Sequence, residues 1–87
     1  MKFELSDKAT EDIAYWRKSG QKKVLKKIRK LKNAILDNPY EGIGKPEQLK
    51  YELSGVWSRR ITQEDRFVYE VVEDKELIII YSLRGHY

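Results

Sequence analysis

The sequence predicts an α+β fold in which two N-terminal helices pack on an antiparallel sheet, in the order β-α-α-β-β-β. Three observations predict it. Apolar residues recur at intervals of three and four between residues 9 and 35. After Pro46 the period changes to two. The later apolar runs are separated by short polar turns, which join antiparallel neighbours. The 87 residues are expected to form one domain, 1–87, without linker, repeat or low-complexity segment.

Each element has a local reason. Residues 2–6 alternate, with Phe3 and Leu5 on one side, and suit a short strand. Ser6 is a helix N-cap, and Asp7 favours the positive end of the helix that follows. Ala9, Ile13 and Trp16 mark its core side up to Gly20. A second helix is expected over residues 21–36, with Val24, Leu25, Ile28, Leu31 and Ile35 in one stripe. Asn38-Pro39 ends it, because a residue before proline avoids helical torsion angles. Gly42, Gly44 and Pro46 mark a loop. Strands are then expected at 51–53, 56–62, 66–72 and 76–83, with turns at 54–55, 63–65 and 73–75. The run Leu77-Ile78-Ile79-Ile80-Tyr81 suggests a strand covered on both faces.

Composition excludes several classes. The apolar run at 77–81 is far shorter than the roughly 20 residues of a membrane span. The start, MKFELSDKATED, lacks the apolar stretch of a secretion signal, so a cytoplasmic location is expected and no membrane partner. Without cysteine there is no disulfide, thiolate metal site or cysteine nucleophile. A single histidine rules out a multi-histidine metal cage, and no cofactor is expected. The net charge of +4 is unevenly spread: residues 17–32 hold nine cations and no acid. Such a block is either the footprint of an anionic partner, most often nucleic acid, or a solvated helix face.

Three clusters carry possible chemistry. On strand 56–62, Trp57, Arg59 and Ile61 share one face, and Val56, Ser58, Arg60 and Thr62 the other. Phe67, Tyr69 and Val71 are expected on the helix-covered face of the next strand. That leaves Arg66 on the open face, where a hairpin register can set it beside Arg60. Two adjacent arginines repel unless an anion joins them, so they form either a phosphate clamp or ion pairs with Glu64, Glu70 or Glu52. The tail Arg84-Gly85-His86-Tyr87 follows the apolar strand directly, and histidine is the one side chain type whose unperturbed pKa lies near neutrality. His86 is either solvated or held by its tether. In Gly44-Lys45-Pro46-Glu47-Gln48-Leu49-Lys50, Glu47 is a carboxylate flanked by cations, able to act as a base or to sit in an exposed loop. A base, an acid and several cations are the parts of a metal-free ribonuclease.

The string from Tyr40 to Lys50, with Leu53-Ser54-Gly55-Val56-Trp57-Ser58-Arg59-Arg60-Ile61-Thr62, Asp65-Arg66-Phe67-Val68-Tyr69 and the ending His86-Tyr87, resembles the YoeB family of the RelE superfamily of bacterial toxins. The Tyr15-Trp16 pair agrees, and the resemblance runs the length of the chain. Gln48 and Ile43 depart from it, where proline and a basic residue are frequent. The resemblance implies a RelE-like fold of microbial-ribonuclease type. It also implies a type II toxin–antitoxin toxin that cuts messenger RNA in the ribosomal A site without a metal.

By the matched motifs, Glu47 is implied as general base, His86 as general acid and Arg66 as the group that stabilises the phosphorane. Lys50 and Arg60 are implied to hold the phosphate, Tyr87 to orient the substrate, and Lys45 to be a further phosphate contact. The basic helix, with Lys22, Lys23, Lys26, Lys27 and Lys30, is implied to engage ribosomal RNA. The implied partners are a YefM-like antitoxin, the ribosome with its A-site message, and operator DNA through the antitoxin complex. A homodimer is also compatible. Two other readings are a ParE-type toxin that poisons gyrase and a non-catalytic RNA-binding domain.

Overall fold

The computed structural model describes residues 1–49 and 55–85. Strand β1 spans Lys2–Leu5, helix α1 Asp7–Lys18 and helix α2 Lys22–Asp37. Strands β2 (Glu47–Gln48), β3 (Val56–Arg60), β4 (Arg66–Val72) and β5 (Leu77–Ser82) follow, with a 3-10 turn at Glu73–Lys75. The five strands form one sheet in the order β1-β5-β4-β3-β2. The expected strand at 51–53 lies outside the described residues.

Helix α1 starts where its cap predicts. The Ser6 hydroxyl accepts a hydrogen bond from Ala9 N at 3.1 Å and donates to Tyr81 O at 2.9 Å, tying the helix start to β5. Arg17 and Lys18 stand in its last turn, where the helix dipole favours cations. Helix α2 buries Val24, Ile28, Leu31 and Ile35 from the predicted stripe. With Ala9 and Trp16 these side chains cover Phe67, Tyr69, Ile78, Ile80 and Leu83, which form the sheet's side of the core.

Three expectations need correction. The sheet is mixed, because β1 pairs with β5 in parallel, whereas the pairs β2–β3, β3–β4 and β4–β5 are antiparallel. Short turns dictate direction only between consecutive strands, and β1 is separated from β5 by most of the chain. The apolar run of β5 is not covered on both faces: Ile78 and Ile80 are buried, while Leu77, Ile79 and Tyr81 are half-buried. Strand β5 is central in hydrogen bonding, but the helices cover only one side. Finally, Glu47 belongs to a short strand rather than a loop, since β2 pairs with β3.

Candidate functional site

The side of the sheet away from the helices carries three of the candidate residues, Glu47, Arg60 and Arg66. Pairing is direct across three strands: Glu47 lies opposite Ser58, Ser58 opposite Val68, and Arg60 opposite Arg66. Directly paired residues point to one face, and so do residues two apart along a strand. Glu47, Arg60 and Arg66 therefore share the open face. Ser58 and Val68 between them are 8% and 2% exposed and form a floor. The ladder places the Cα atoms of Glu47 and Arg66 about 12 Å apart, two strand spacings across and two residues along. Two long side chains can meet across that gap with a phosphodiester between them.

The arginine pair has the predicted register, and its ion-pair reading finds no support among the described residues. There the ion pair is Lys8–Asp12, and the Glu70 carboxylate instead accepts from Tyr81 Oη at 2.5 Å. Glu52 lies outside the described residues. Arg66 directs Nη1 at the carbonyls of Thr62, Gln63 and Asp65, at 3.1 to 3.2 Å. Among the described residues Arg66 meets neutral carbonyls rather than a carboxylate, and Arg60 beside it is exposed. The face sets two cations side by side.

The approach to Glu47 is fixed from below by Arg59. This side chain is 0% exposed and points to the helix side, opposite Phe67. Its Nη2 donates to Asn38 O at 2.7 Å and Glu41 O at 3.1 Å, and its Nη1 to Ile43 O at 3.2 Å. Its Nε donates to Tyr69 Oη at 3.1 Å, and that hydroxyl donates to Pro39 O at 2.6 Å. Burial pushes the Tyr69 phenol above its ordinary value of 10.0, against the opposing pull of Arg59. It is thus a neutral donor across the physiological range. Gly44 closes the loop: its carbonyl accepts from Arg60 N at 2.7 Å. Its φ is +86°, and an added Cβ would lie 2.7 Å from Leu31 Cδ2.

The tail is held at the other end of the face. Gly85 N donates to Asp65 Oδ1 at 2.8 Å, and Gly85 O accepts from Arg66 N at 2.8 Å. The chain therefore reaches its last two residues directly from a contact with Arg66. His86, Tyr87 and Lys50 lie outside the described residues. Lys45 is exposed in the loop before Glu47.

The basic helix is not brought to this face. Lys22, Lys23, Lys26 and Lys30 are exposed and Lys27 is half-buried, all on α2, which packs on the opposite side of the sheet. Sequence reasoning missed Arg59, Tyr69, Asp12 and Asp65 as polar anchors. For Arg59 a signal existed: strand alternation puts it on the same face as Phe67 and Tyr69, so a cation was due to be buried. Asp12 and Asp65 left no local signal, because their partners are remote in sequence.

Two helices against one side of a mixed sheet, with Glu47, Arg60 and Arg66 on the other, define a small α+β protein of the RelE-like fold class. The chain belongs to the family of YoeB-like toxins of bacterial type II toxin–antitoxin systems, whose family model matches residues 5–87. It is 45% identical over 87 residues to Toxin YoeB of Escherichia coli strain K12, covering all of both chains. Among solved structures it matches a YoeB/ParE toxin from Agrobacterium tumefaciens with a TM-score of 0.94, at 36% identity and full coverage of both chains. It matches YoeB in a heterotetrameric YoeB–YefM complex from Staphylococcus aureus with a TM-score of 0.85 at 44% identity, covering 98% and 95% of the two chains. No helix among the described residues is long and apolar enough to cross a membrane.

Proposed function

We propose that this toxin is an endoribonuclease that cuts messenger RNA in the ribosomal A site. The observation that carries the reading is the shared open face of Glu47, Arg60 and Arg66. Glu47 takes the proton from a ribose 2′-OH. The 2′ oxygen attacks the adjacent phosphorus, and the bond from phosphorus to the 5′ oxygen breaks. His86 gives its proton to that leaving oxygen, so the products are a 2′,3′-cyclic phosphate and a 5′-OH. Arg66 and Arg60, with Lys50 and Lys45, stabilise the charge of the pentacoordinate phosphorus, and Tyr87 orients the substrate. Acid, base and cations all come from side chains, so the step needs no metal.

The ribosome supplies orientation, and the exposed lysines of α2 add affinity for ribosomal RNA by neutralising phosphates. They act from the opposite side of the molecule, which leaves the cutting face free for the message. A YefM-like antitoxin is the partner that restrains the toxin in the cytoplasm, in line with the staphylococcal complex. Operator DNA is reached through that complex.

Mapping the 5′ ends of a translated message tests this reading. Wild-type protein and His86→Ala are compared with and without ribosomes. New ends within A-site codons, bearing 5′-OH, are expected only from the wild type with ribosomes. Growth arrest without such ends would overturn the nuclease reading and favour a gyrase poison or pure RNA binder.

A further inference from the structure

We propose that Asp12, Trp16 and Asp65 are positioning residues that fix the tail at Leu83 and Gly85, immediately ahead of the proposed acid in the chain; this rests on the role given to His86 above. Strand β5 ends at Ser82, yet two residues beyond it are held at both backbone polar groups. Leu83 N donates to Asp12 Oδ2 at 2.9 Å, and Leu83 O accepts from Trp16 Nε1 at 2.8 Å. Residues 12 and 16 are one helical turn apart, so α1 presents an acceptor and a donor in register with a single residue of the tail. Gly85 is held in the same way, by Asp65 Oδ1 and Arg66 N.

The clasp is braced. The Asp12 side chain is 9% exposed and also accepts from Lys8 Nζ at 2.7 Å, and that ammonium donates to Arg84 O at 3.0 Å. Between the two held residues, the Arg84 guanidinium stacks on Tyr15, 3.5 Å from the ring centre. The second oxygen of Asp65 accepts from Thr62 Oγ1 at 2.7 Å, within the turn whose carbonyls receive Arg66. The tail and Arg66 thus belong to one hydrogen-bonded unit. Helix α1 lies behind the sheet. Its route to the chemistry is the tail, which it holds at Leu83, three residues ahead of the proposed acid. Gly85, with φ +83°, supplies the bend that lets both of its polar groups face the 61–66 segment.

Single-turnover cleavage on programmed ribosomes tests the clasp, with ribosome affinity and melting temperature measured in parallel. Asp65→Ala removes the acceptor for Gly85 N, whereas Asp65→Asn keeps one. Cleavage at saturating ribosome should fall about tenfold or more in Asp65→Ala, with affinity within about twofold, and largely return in Asp65→Asn. Trp16→Phe keeps an aromatic ring in the core while it removes the donor to Leu83 and some buried volume, and should slow cleavage about fivefold. In the free protein, amide relaxation of Arg84 and Gly85 should show faster motion in Asp65→Ala than in the wild type or Asp65→Asn. Wild-type cleavage in both Asp65→Ala and Trp16→Phe would overturn the clasp, as would a loss explained wholly by affinity. His86→Gln runs in the same assay: if it is inactive while those two variants cut normally, the clasp alone fails. If His86→Gln cuts normally, the nuclease assignment fails with it.

Discussion

The molecule fixes its two irregular segments by opposite means. Beneath the loop 38–44 a buried cation faces neutral oxygens: Arg59 reaches three carbonyls and a phenol from one planar group. At the tail, two carboxylates and an indole each hold one backbone group, and part of the assembly is exposed. The first is a single hub, so its loss releases the whole loop. The second is distributed, so each bond can be removed with limited damage to the fold. The contrast teaches where stability and chemistry separate: the hub carries the fold, and the clasp carries alignment.

The largest effect should come from the hub. Arg59→Met leaves three carbonyls and the Tyr69 hydroxyl without their donor or partner, and should cost about 3 kcal/mol. For a domain of this size that lowers the melting temperature by about 15 °C, measurable by calorimetry. A loss similar to that of Trp16→Phe would break the comparison.

Gly44→Ala attacks the same loop by sterics. The positive φ and the 2.7 Å approach to Leu31 Cδ2 should together cost about 2 kcal/mol, read as a shift in the urea midpoint at unchanged slope. Tyr69→Phe should cost about 1 kcal/mol, since it removes the bond to Pro39 O and one acceptor of Arg59.

Tyr69 also sets a pH dependence. Its folded-state pKa is raised above 10.0 by burial, so below pH 10 the phenol is neutral in both states and adds no slope. Above pH 10 the unfolded chain loses the proton first, and stability falls as pH rises. Tyr40 acts in the same direction: its hydrogen bond to the Glu73 carboxylate pushes it up to about 12. Because Tyr40 is exposed, solvent screens its share. Denaturant titrations between pH 9 and 11 should show a shallower alkaline loss in Tyr69→Phe than in Tyr40→Phe. Equal slopes would remove Tyr69 from the account.

The smallest effect belongs to Ser6→Ala, which removes the α1 cap and the bond to Tyr81 O for about 1 kcal/mol or less. Because it loosens α1 without touching Leu83, it should lower stability with little change in cleavage. A loss of cleavage as large as that of Trp16→Phe would show that the helix as a whole, rather than its two contacts with the tail, governs alignment.

Much of this was legible from residues alone. Strand β4 has the bounds that its alternation predicts, both helices lie within two residues of their expected ends, and the register sets Arg60 beside Arg66. The placement of Glu47 on their face was not legible. Two residues of strand have no period to read, and β2 exists because β3 offers it an edge.

The sequence by itself determined what depends on neighbours a few residues away: the capped α1, the amphipathic α2, the hairpin alternation and the basic block. It also determined the family, through motifs spread along the whole chain. Tertiary structure alone decided the parallel pairing of β1, the carbonyl partners of Arg59 and the clasp on the tail. The bond from Leu83 to Asp12 spans 71 positions, and that from Trp16 to Leu83 spans 67. A polar group that closes so long a loop has no periodicity and no preferred neighbour. Its partner is chosen by which backbone groups the folded sheet leaves unpaired, and those exist only once the sheet is made.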